Sequence, residues 1–125
     1  KTHGASVLTL KTEYHTLKLI NSVAFDKNYK QQSKFPLLQQ HFIGWFIETK
    51  EDTFNDSVAT FMDFTVNQKG NTRFMYVLPM SPRKALFEFT LFSPNLLSTE
   101  EYEREIKKYL QQRAITDYKK KELYQ

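Results

Sequence analysis

The sequence predicts an α+β fold, in which an antiparallel β-sheet, arranged as a meander, packs with one main C-terminal helix. Between residues 5 and 92, runs of β-branched and aromatic residues alternate with short polar turns, a pattern typical of antiparallel strands. After residue 97 the pattern changes to a capping box followed by a helical apolar face. The chain has 125 residues, 40% of them hydrophobic, which is enough for a single domain with its own core.

Three strands are predicted in the first part of the chain. Residues 7–10 and 14–20 are predicted to form a hairpin around the polar turn 11–13. A polar connector follows and ends at a proline. Residues 37–50 carry large apolar side chains around Gly44, which favours a strand whose glycine allows another backbone to approach closely. A short helix is the alternative for this segment.

The middle of the chain is predicted to continue the sheet. The β-branched and aromatic run 58–66 predicts a strand, and the turn residues of "NQKGNT" then reverse the chain. Residues 73–78 are predicted to form the next strand, followed by a turn containing Pro79, Ser81 and Pro82 and by a returning strand at residues 84–92.

The last part of the chain predicts a helix and one more strand. Ser98 is expected to cap the helix, with Glu101 three residues later completing a capping box. The apolar residues of the helix fall on one face and are Tyr102, Ile106, Tyr109 and Leu110. The segment "AITDYKKK" either rejoins the sheet as a short strand or forms a solvated edge.

Composition excludes several classes of function. The net charge is +4, but basic residues are interspersed with acidic ones and form no dense stripe, so no nucleic-acid partner is expected. Cysteine is absent, and the three histidines are too far apart for metal-ligand spacing. Three glycines cannot build a phosphate-binding loop, and no Ser/His/Asp nucleophile signature is present. No apolar run is long enough to cross a bilayer.

Glu88 is the main candidate for chemistry. Strand alternation places it on a face with Leu86, Thr90 and Phe92, so a carboxyl group is expected among apolar neighbours. Such surroundings disfavour the charged form of a carboxyl group, which suits a general acid. The alternative is an ion pair across the hairpin, with Arg73 as the suggested partner, and the pattern alone favours this alternative.

Four further residues are candidates for contacts with a ligand. Asp63 is an acid in a hydrophobic strand, although a strand-end aspartate often bonds to a nearby turn. Phe42 and Trp45 are aromatic, and Trp45 and Phe46, with the Phe and Met residues of the meander, can line a long apolar pocket, but aromatic stripes on strands are usually core. His41, beside them, is more often a core or interface histidine.

Several motifs together resemble the middle part of the bacterial flavin-dependent lycopene cyclases. They are, in order, "LLQQHFIGWFIET", "ATFMDF", "TRFMYVLPMSPRKALFEFTLFSP" and "STEEYEREIKKYL". The resemblance spans most of residues 21–125. The combination of motifs is specific to this family, although each motif alone would be a weak signal. It implies the substrate domain of a flavoprotein similar to hydroxybenzoate hydroxylase.

The resemblance also implies roles for individual residues. Glu88 in "LFEFT" matches the first acid of the plant-type "FLEET" motif, the proposed proton donor, and Thr90 matches its threonine. Asp63 in "FMDF" matches the acid of "FMDW". Phe89 stands where the family has a second glutamate, so an acid pair is not available at this motif.

The activity implied is the acid-initiated cyclisation of linear carotene ends to β-ionone rings, an isomerisation without net redox change. The parent enzyme of this family uses FAD, kept reduced through NADPH, but the glycine-rich FAD fingerprint is missing from this chain. The chain is therefore expected to bind no cofactor itself. Because carotenes dissolve in bilayers, the parent enzyme is expected in the cytoplasm, peripheral to the membrane surface.

We interpret residues 1–125 as a single domain, and as a fragment, because the sequence begins without an initiator methionine. Residues 1–24 would lead from an FAD domain, and residues 35–125 would be the substrate-binding region. As an isolated chain it is expected to be inactive. Two alternatives are a non-catalytic isoprenoid or lipid-binding domain, and a related flavin-dependent isoprenoid reductase or hydroxylase.

Overall fold

The computed structural model describes residues 5–8, 13–16, 34 and 38–124. By its contacts the chain divides into two units, Lys1–Phe35 and Pro36–Gln125. In the first unit, strands β1 (Ala5–Leu8) and β2 (Glu13–Thr16) pair antiparallel. The strand β2 begins at a residue that was predicted to lie in the turn. The predicted strand residues 17–20 and most of the polar connector lie outside the described residues.

The second unit is a five-stranded antiparallel sheet with one helix, which confirms the predicted α+β class. Its elements are β3 (Gln39–Thr49), β4 (Thr60–Asp63), β5 (Thr72–Ser81), β6 (Lys84–Ser93), α1 (Thr99–Gln112) and β7 (Tyr118–Tyr124). The strand alternative for the segment around Gly44 is therefore the correct one. The last segment rejoins the sheet as its edge strand β7, with the lysines at 119–121 exposed.

The strand order is β4-β5-β6-β3-β7. Strands β4, β5 and β6 follow one another as a meander, whereas β3 lies on the far side of β6 and β7 pairs with β3. The strand β6 is thus central, with partners along its whole length on both sides. This position brings side chains of β3 and β5 next to those of β6.

The turn between β5 and β6 is tighter than predicted. Strand β5 continues through Pro79, which pairs with Ala85, and a register shift lies between Pro79 and Ser81. Only residues 82–83 form the turn. A proline is tolerated there because β4 pairs with β5 no further than Val77, so the missing N–H is at a local sheet edge.

Strand β4 is shorter than the predicted run 58–66. Its pairing with β5 is interrupted by a register shift, and Met62 lies in the left-handed region with φ of 56°. The Thr65 N–H then donates a 2.9 Å hydrogen bond to Asp63 Oδ1, which turns the chain out of the strand.

Helix α1 begins as the sequence predicts, with Ser98 as N-cap. The Ser98 N–H donates to the Glu101 carboxylate at 3.1 Å, which satisfies a backbone donor at the helix start. Its apolar face, the predicted set of four residues, is buried against β3 and β6. The helix has 14 residues, and among the described parts of the chain no helix is long and apolar enough to span a membrane.

Candidate functional site

Strand β6 presents two chemically different faces, as its alternation predicts. Ala85, Phe87, Phe89 and Leu91 are each at most 1% exposed and form a core with α1. We call this side of the sheet the helix face. Glu88 lies on the opposite side and is half-buried. The two faces therefore separate the packed core from the candidate acid.

The side chains around Glu88 come from three neighbouring strands. Gly44 of β3 and Tyr76 of β5 lie directly opposite Glu88 on either side. The next pairs in the register bring aromatic and aliphatic side chains to the same face. We call this surface the Glu88 face; its members on the three strands are Phe42, Gly44, Phe46, Phe74, Tyr76, Leu78, Leu86, Glu88, Thr90 and Phe92.

The Glu88 carboxyl group has one hydrogen-bond partner among the described residues. The Thr90 hydroxyl, which is fully buried, donates to Glu88 Oε1 at 2.8 Å. No ion pair between described residues involves Glu88, whereas eight carboxylate–cation contacts of 4.0 Å or less connect other described side chains. The carboxyl group is thus held by a neutral donor rather than by a described cation.

Arg73 is not the partner of Glu88, so the suggested ion pair across the hairpin is wrong. The register places Arg73 opposite Leu91, on the helix face, because the pairing shifts by one residue between the Ser81–Lys84 pair and the Pro79–Ala85 pair. Arg73 is 5% exposed, and its Nη2 donates to Asn71 Oδ1 at 3.0 Å. It therefore lies on the other side of the sheet from the Glu88 carboxyl group.

Aromatic rings make up much of the Glu88 face. Phe74 is 1% exposed, and its ring centroid lies 5.1 Å from that of Tyr76 and 6.2 Å from that of Phe92. Phe61 of β4 lies 5.3 Å from Tyr76 but is itself 77% exposed. The Phe74 and Tyr76 rings are edge-on, an arrangement that aromatic pairs prefer, and the other two pairs are tilted. The result is a continuous aromatic surface beside a carboxyl group.

Three of the six residues singled out from the sequence lie on the Glu88 face, namely Glu88, Thr90 and Phe42. The other three, His41, Trp45 and Asp63, lie on the helix face. The structure therefore does not bring these three together with Glu88.

Trp45 and His41 are integrated into the packing under the helix. Trp45 is 2% exposed, and the Lys120 ammonium lies 4.5 Å from the centroid of its ring. His41 Nε2 is 2.8 Å from Ser93 Oγ, and its Nδ1 is hydrogen-bonded to the Tyr102 hydroxyl. The pKa of His41 lies below its usual value, mainly because the ring is buried. The backbone of Asn95 raises this pKa, and the charge of Arg73 lowers it further.

Asp63 connects β4 to the end of the helix. Its Oδ2 accepts hydrogen bonds from the Tyr109 hydroxyl at 2.7 Å and from Arg113 Nη2 at 2.6 Å. Burial opposes ionisation, but hydrogen bonds from Thr65 and Tyr109 and the Arg113 charge outweigh it, so the pKa of Asp63 lies below its usual value. An anion held in this way stabilises the fold.

We expect this contact to make stability depend on pH. Because the folded-state pKa of Asp63 is lowered from 3.8, its contribution is present above that value and is lost as the pH falls through the lower folded value. Asp63→Asn should reduce the free energy of unfolding by about 1–3 kcal/mol at pH 7. Chemical denaturation from pH 7 to pH 2 should show the difference between wild type and variant shrinking below about pH 4. A difference that is constant over this range would contradict the assignment.

Phe89, which the resemblance aligns with the second glutamate of the "FLEET" motif, is fully buried on the helix face. Since neighbouring residues in a strand point to opposite sides, an acid at this position would face α1 and not Glu88. The departure from the "FLEET" pattern therefore leaves the Glu88 face unchanged.

The described residues do not fit the pyrophosphate of FAD. Dinucleotides bind where a glycine-rich turn leads from a strand to a helix N-terminus. Of the described elements, the helix α1 starts after "SPNLLS", which contains no glycine, and carries Glu100 and Glu101 in its first turn. These carboxylates would repel a pyrophosphate.

Sequence reasoning missed Tyr76 and Phe74 as neighbours of the candidate acid. The alternation of β5 puts both on one face of that strand, but their position beside Glu88 depends on the register. That register depends on the shift between Pro79 and Ser81 as well as on the two-residue turn at 82–83, whereas the predicted turn covers residues 79–83.

The family model of the lycopene cyclase protein family matches residues 4–122 of the chain. No curated protein and no solved structure matches it. The family match covers nearly the whole chain and includes both the Glu88 face and the helix. The chain belongs to the lycopene cyclase family.

Proposed function

We propose that residues 35–125 form the substrate-binding region of a lycopene-cyclase-like protein, and that Glu88 protonates the end of a linear carotene. The observation that carries this proposal is the Glu88 carboxyl group, which lies among aromatic and aliphatic side chains with a neutral hydrogen-bond donor and no described cation. A carotene offers no polar group along its chain, so an apolar strand face is a surface suited to it.

The hydrogen bond from Thr90 assigns different roles to the two carboxyl oxygens. Because Oε1 accepts the hydrogen bond from the Thr90 hydroxyl, the acidic proton of a neutral Glu88 is placed on Oε2. A proton on Oε2 can then be donated to carbon. We therefore give Thr90 a positioning role and Glu88 the catalytic one.

The reaction follows from a single proton transfer. The Oε2–H bond breaks and a C–H bond forms at the terminal double bond, leaving a tertiary cation and the Glu88 carboxylate. A neighbouring double bond supplies its electron pair to close the six-membered ring. Loss of a proton from the ring to a base restores a double bond, so substrate and product have the same composition and no electrons are gained or lost.

The aromatic rings support this reaction in two ways. Faces of Phe and Tyr attract a cation by about 2 kcal/mol or more when water is excluded, and Tyr76 lies directly beside Glu88. Rings also keep water from the cation, which would otherwise be trapped as an alcohol. The pyrophosphate of FAD does not fit the described residues, and no step above depends on a flavin.

We also propose that the rim of the Glu88 face touches the membrane in which carotenes dissolve. Phe61, Leu78 and Met80 are 77%, 50% and 62% exposed and extend the apolar surface towards the β4 side of the sheet. Exposed apolar groups next to a substrate face suit a lipid surface. The partner at this rim would be the bilayer, and the protein would be peripheral to it in the cytoplasm.

The proposal is tested with the complete product of the gene, with any flavin it requires, and lycopene dissolved in phospholipid vesicles. We expect a product with β-ionone rings and the mass of lycopene, and in D₂O one deuterium for each ring. The protein should also sediment with the vesicles. Binding of lycopene without conversion would instead support the non-catalytic isoprenoid-binding alternative. A product heavier by two hydrogens or by one oxygen would identify a reductase or a hydroxylase.

A further inference from the structure

We propose that Gly44 sets the depth of the site at Glu88, so that the branched, acyclic end of an isoprenoid can reach the carboxyl group. This inference rests on the proposed function, because it takes such an end as the ligand. Gly44 lies directly opposite Glu88, between Phe42 and Phe46 on the same face of β3. It is the one position of this row that carries no side chain.

Leu86 occupies the space that a side chain at position 44 would need. A Cβ atom built on Gly44 would lie 2.9 Å from Leu86 Cδ1, and 3.5 Å from both Glu88 Cβ and the Phe87 carbonyl oxygen. A distance of 2.9 Å is too short for two carbon atoms that are not bonded. The glycine thus lets the Leu86 side chain lie low against β3, immediately beside Glu88.

The single short contact involves the tip of a flexible side chain. An alanine at position 44 can therefore be accommodated by rotating Leu86 away from β3, without separating β3 from β6. Rotation would raise Leu86 into the space in front of Glu88. The expected effect of the substitution is a change in the shape of the site in a protein that still folds.

Two measurements on four proteins test this inference, namely wild type, Gly44→Ala, Leu86→Ala and the double variant. The first is turnover of lycopene by the complete gene product. The second is the affinity for pseudoionone, measured by titrating the protein with this ligand. Pseudoionone is a short linear ketone with the same branched, acyclic end as lycopene. Gly44→Ala should lower turnover by about 10- to 100-fold, because a small displacement of the reacting end has a large effect on rate. It should weaken binding of pseudoionone by about tenfold.

The double variant separates the proposed cause from a general defect. If the raised Leu86 side chain blocks the site, its removal should restore binding of pseudoionone in the Gly44→Ala protein to within about threefold of the Leu86→Ala protein. The melting temperature of Gly44→Ala should stay within about 5 °C of wild type. Equal binding and turnover in Gly44→Ala and wild type, or no recovery in the double variant, would overturn the inference.

The two measurements also distinguish this inference from the proposed function. A wild-type protein that binds pseudoionone with the expected dependence on Gly44 and Leu86, but does not cyclise lycopene, would support the inference and refute the proposed function. A protein that cyclises lycopene equally well with glycine or alanine at position 44 would do the reverse. A wild-type protein that binds neither compound would overturn both.

Discussion

Glu88→Gln is expected to lower the rate of lycopene cyclisation by about 10²- to 10⁴-fold, the usual contribution of a general acid. Glutamine keeps the size of the side chain and can still accept the Thr90 hydrogen bond at its carbonyl oxygen. It has no acidic proton to give to an alkene. The loss should therefore appear in the turnover number, measured with saturating lycopene, rather than in binding.

The matched control is Glu48→Gln, which makes the same chemical change in β3 on the side of the sheet that also carries Glu88. Glu48 pairs with Lys121 at 2.9 Å near the far end of the strand, and exposed pairs of this kind contribute little to stability. We expect its turnover to stay close to that of wild type. Near-wild-type cyclisation by Glu88→Gln would remove Glu88 as the proton donor while leaving the family assignment intact.

Phe89→Ala is expected to have the largest effect on stability, lowering the free energy of unfolding by about 3–5 kcal/mol. Phe89 is fully buried between β3, β5 and α1, and its ring packs 6.3 Å from that of Tyr102. Removing the ring loses the free energy gained by burying its apolar surface, and it leaves a cavity that the sheet cannot close. Equilibrium denaturation in urea, monitored by circular dichroism, measures the change.

The conservative variant Phe89→Leu should cost less than the alanine variant, because most of the buried volume is kept. A loss below about 1 kcal/mol in Phe89→Ala would contradict the buried position of this residue.

The Phe89→Leu variant also tests whether Phe89 affects the site at Glu88. Since Phe89 faces α1 and Glu88 faces away from it, activity of the folded fraction of Phe89→Leu should be retained.

Much of the fold could be predicted because it depends on local patterns. The alternation in residues 84–92 gave both faces of β6, since successive side chains in a strand point to opposite sides. The capping box at Ser98 and the spacing of apolar residues gave the helix and its buried face. These signals need only neighbours in the sequence.

The candidate site could be predicted only in part, because it depends on pairing between distant residues. That Glu88 lies on an apolar face followed from alternation, but its neighbours Gly44 and Tyr76 follow from the registers of β3 and β5. The placement of Arg73 on the other face depends on the register shift between Pro79 and Ser81. The hydrogen bonds from Arg113 and Tyr109 to Asp63 connect parts of the chain about 50 residues apart. No local sequence pattern specifies these contacts.

The central claim is that the end of a carotene meets the Glu88 carboxyl group on the apolar side of the sheet. The most direct test is a crystal structure of the complete gene product with Glu88→Gln and lycopene bound, since this variant should hold the substrate without converting it. We predict the terminal double bond on the Glu88 face, about 3–3.5 Å from the residue 88 carboxamide. A polyene bound under the helix, or with its ends remote from residue 88, would contradict the claim.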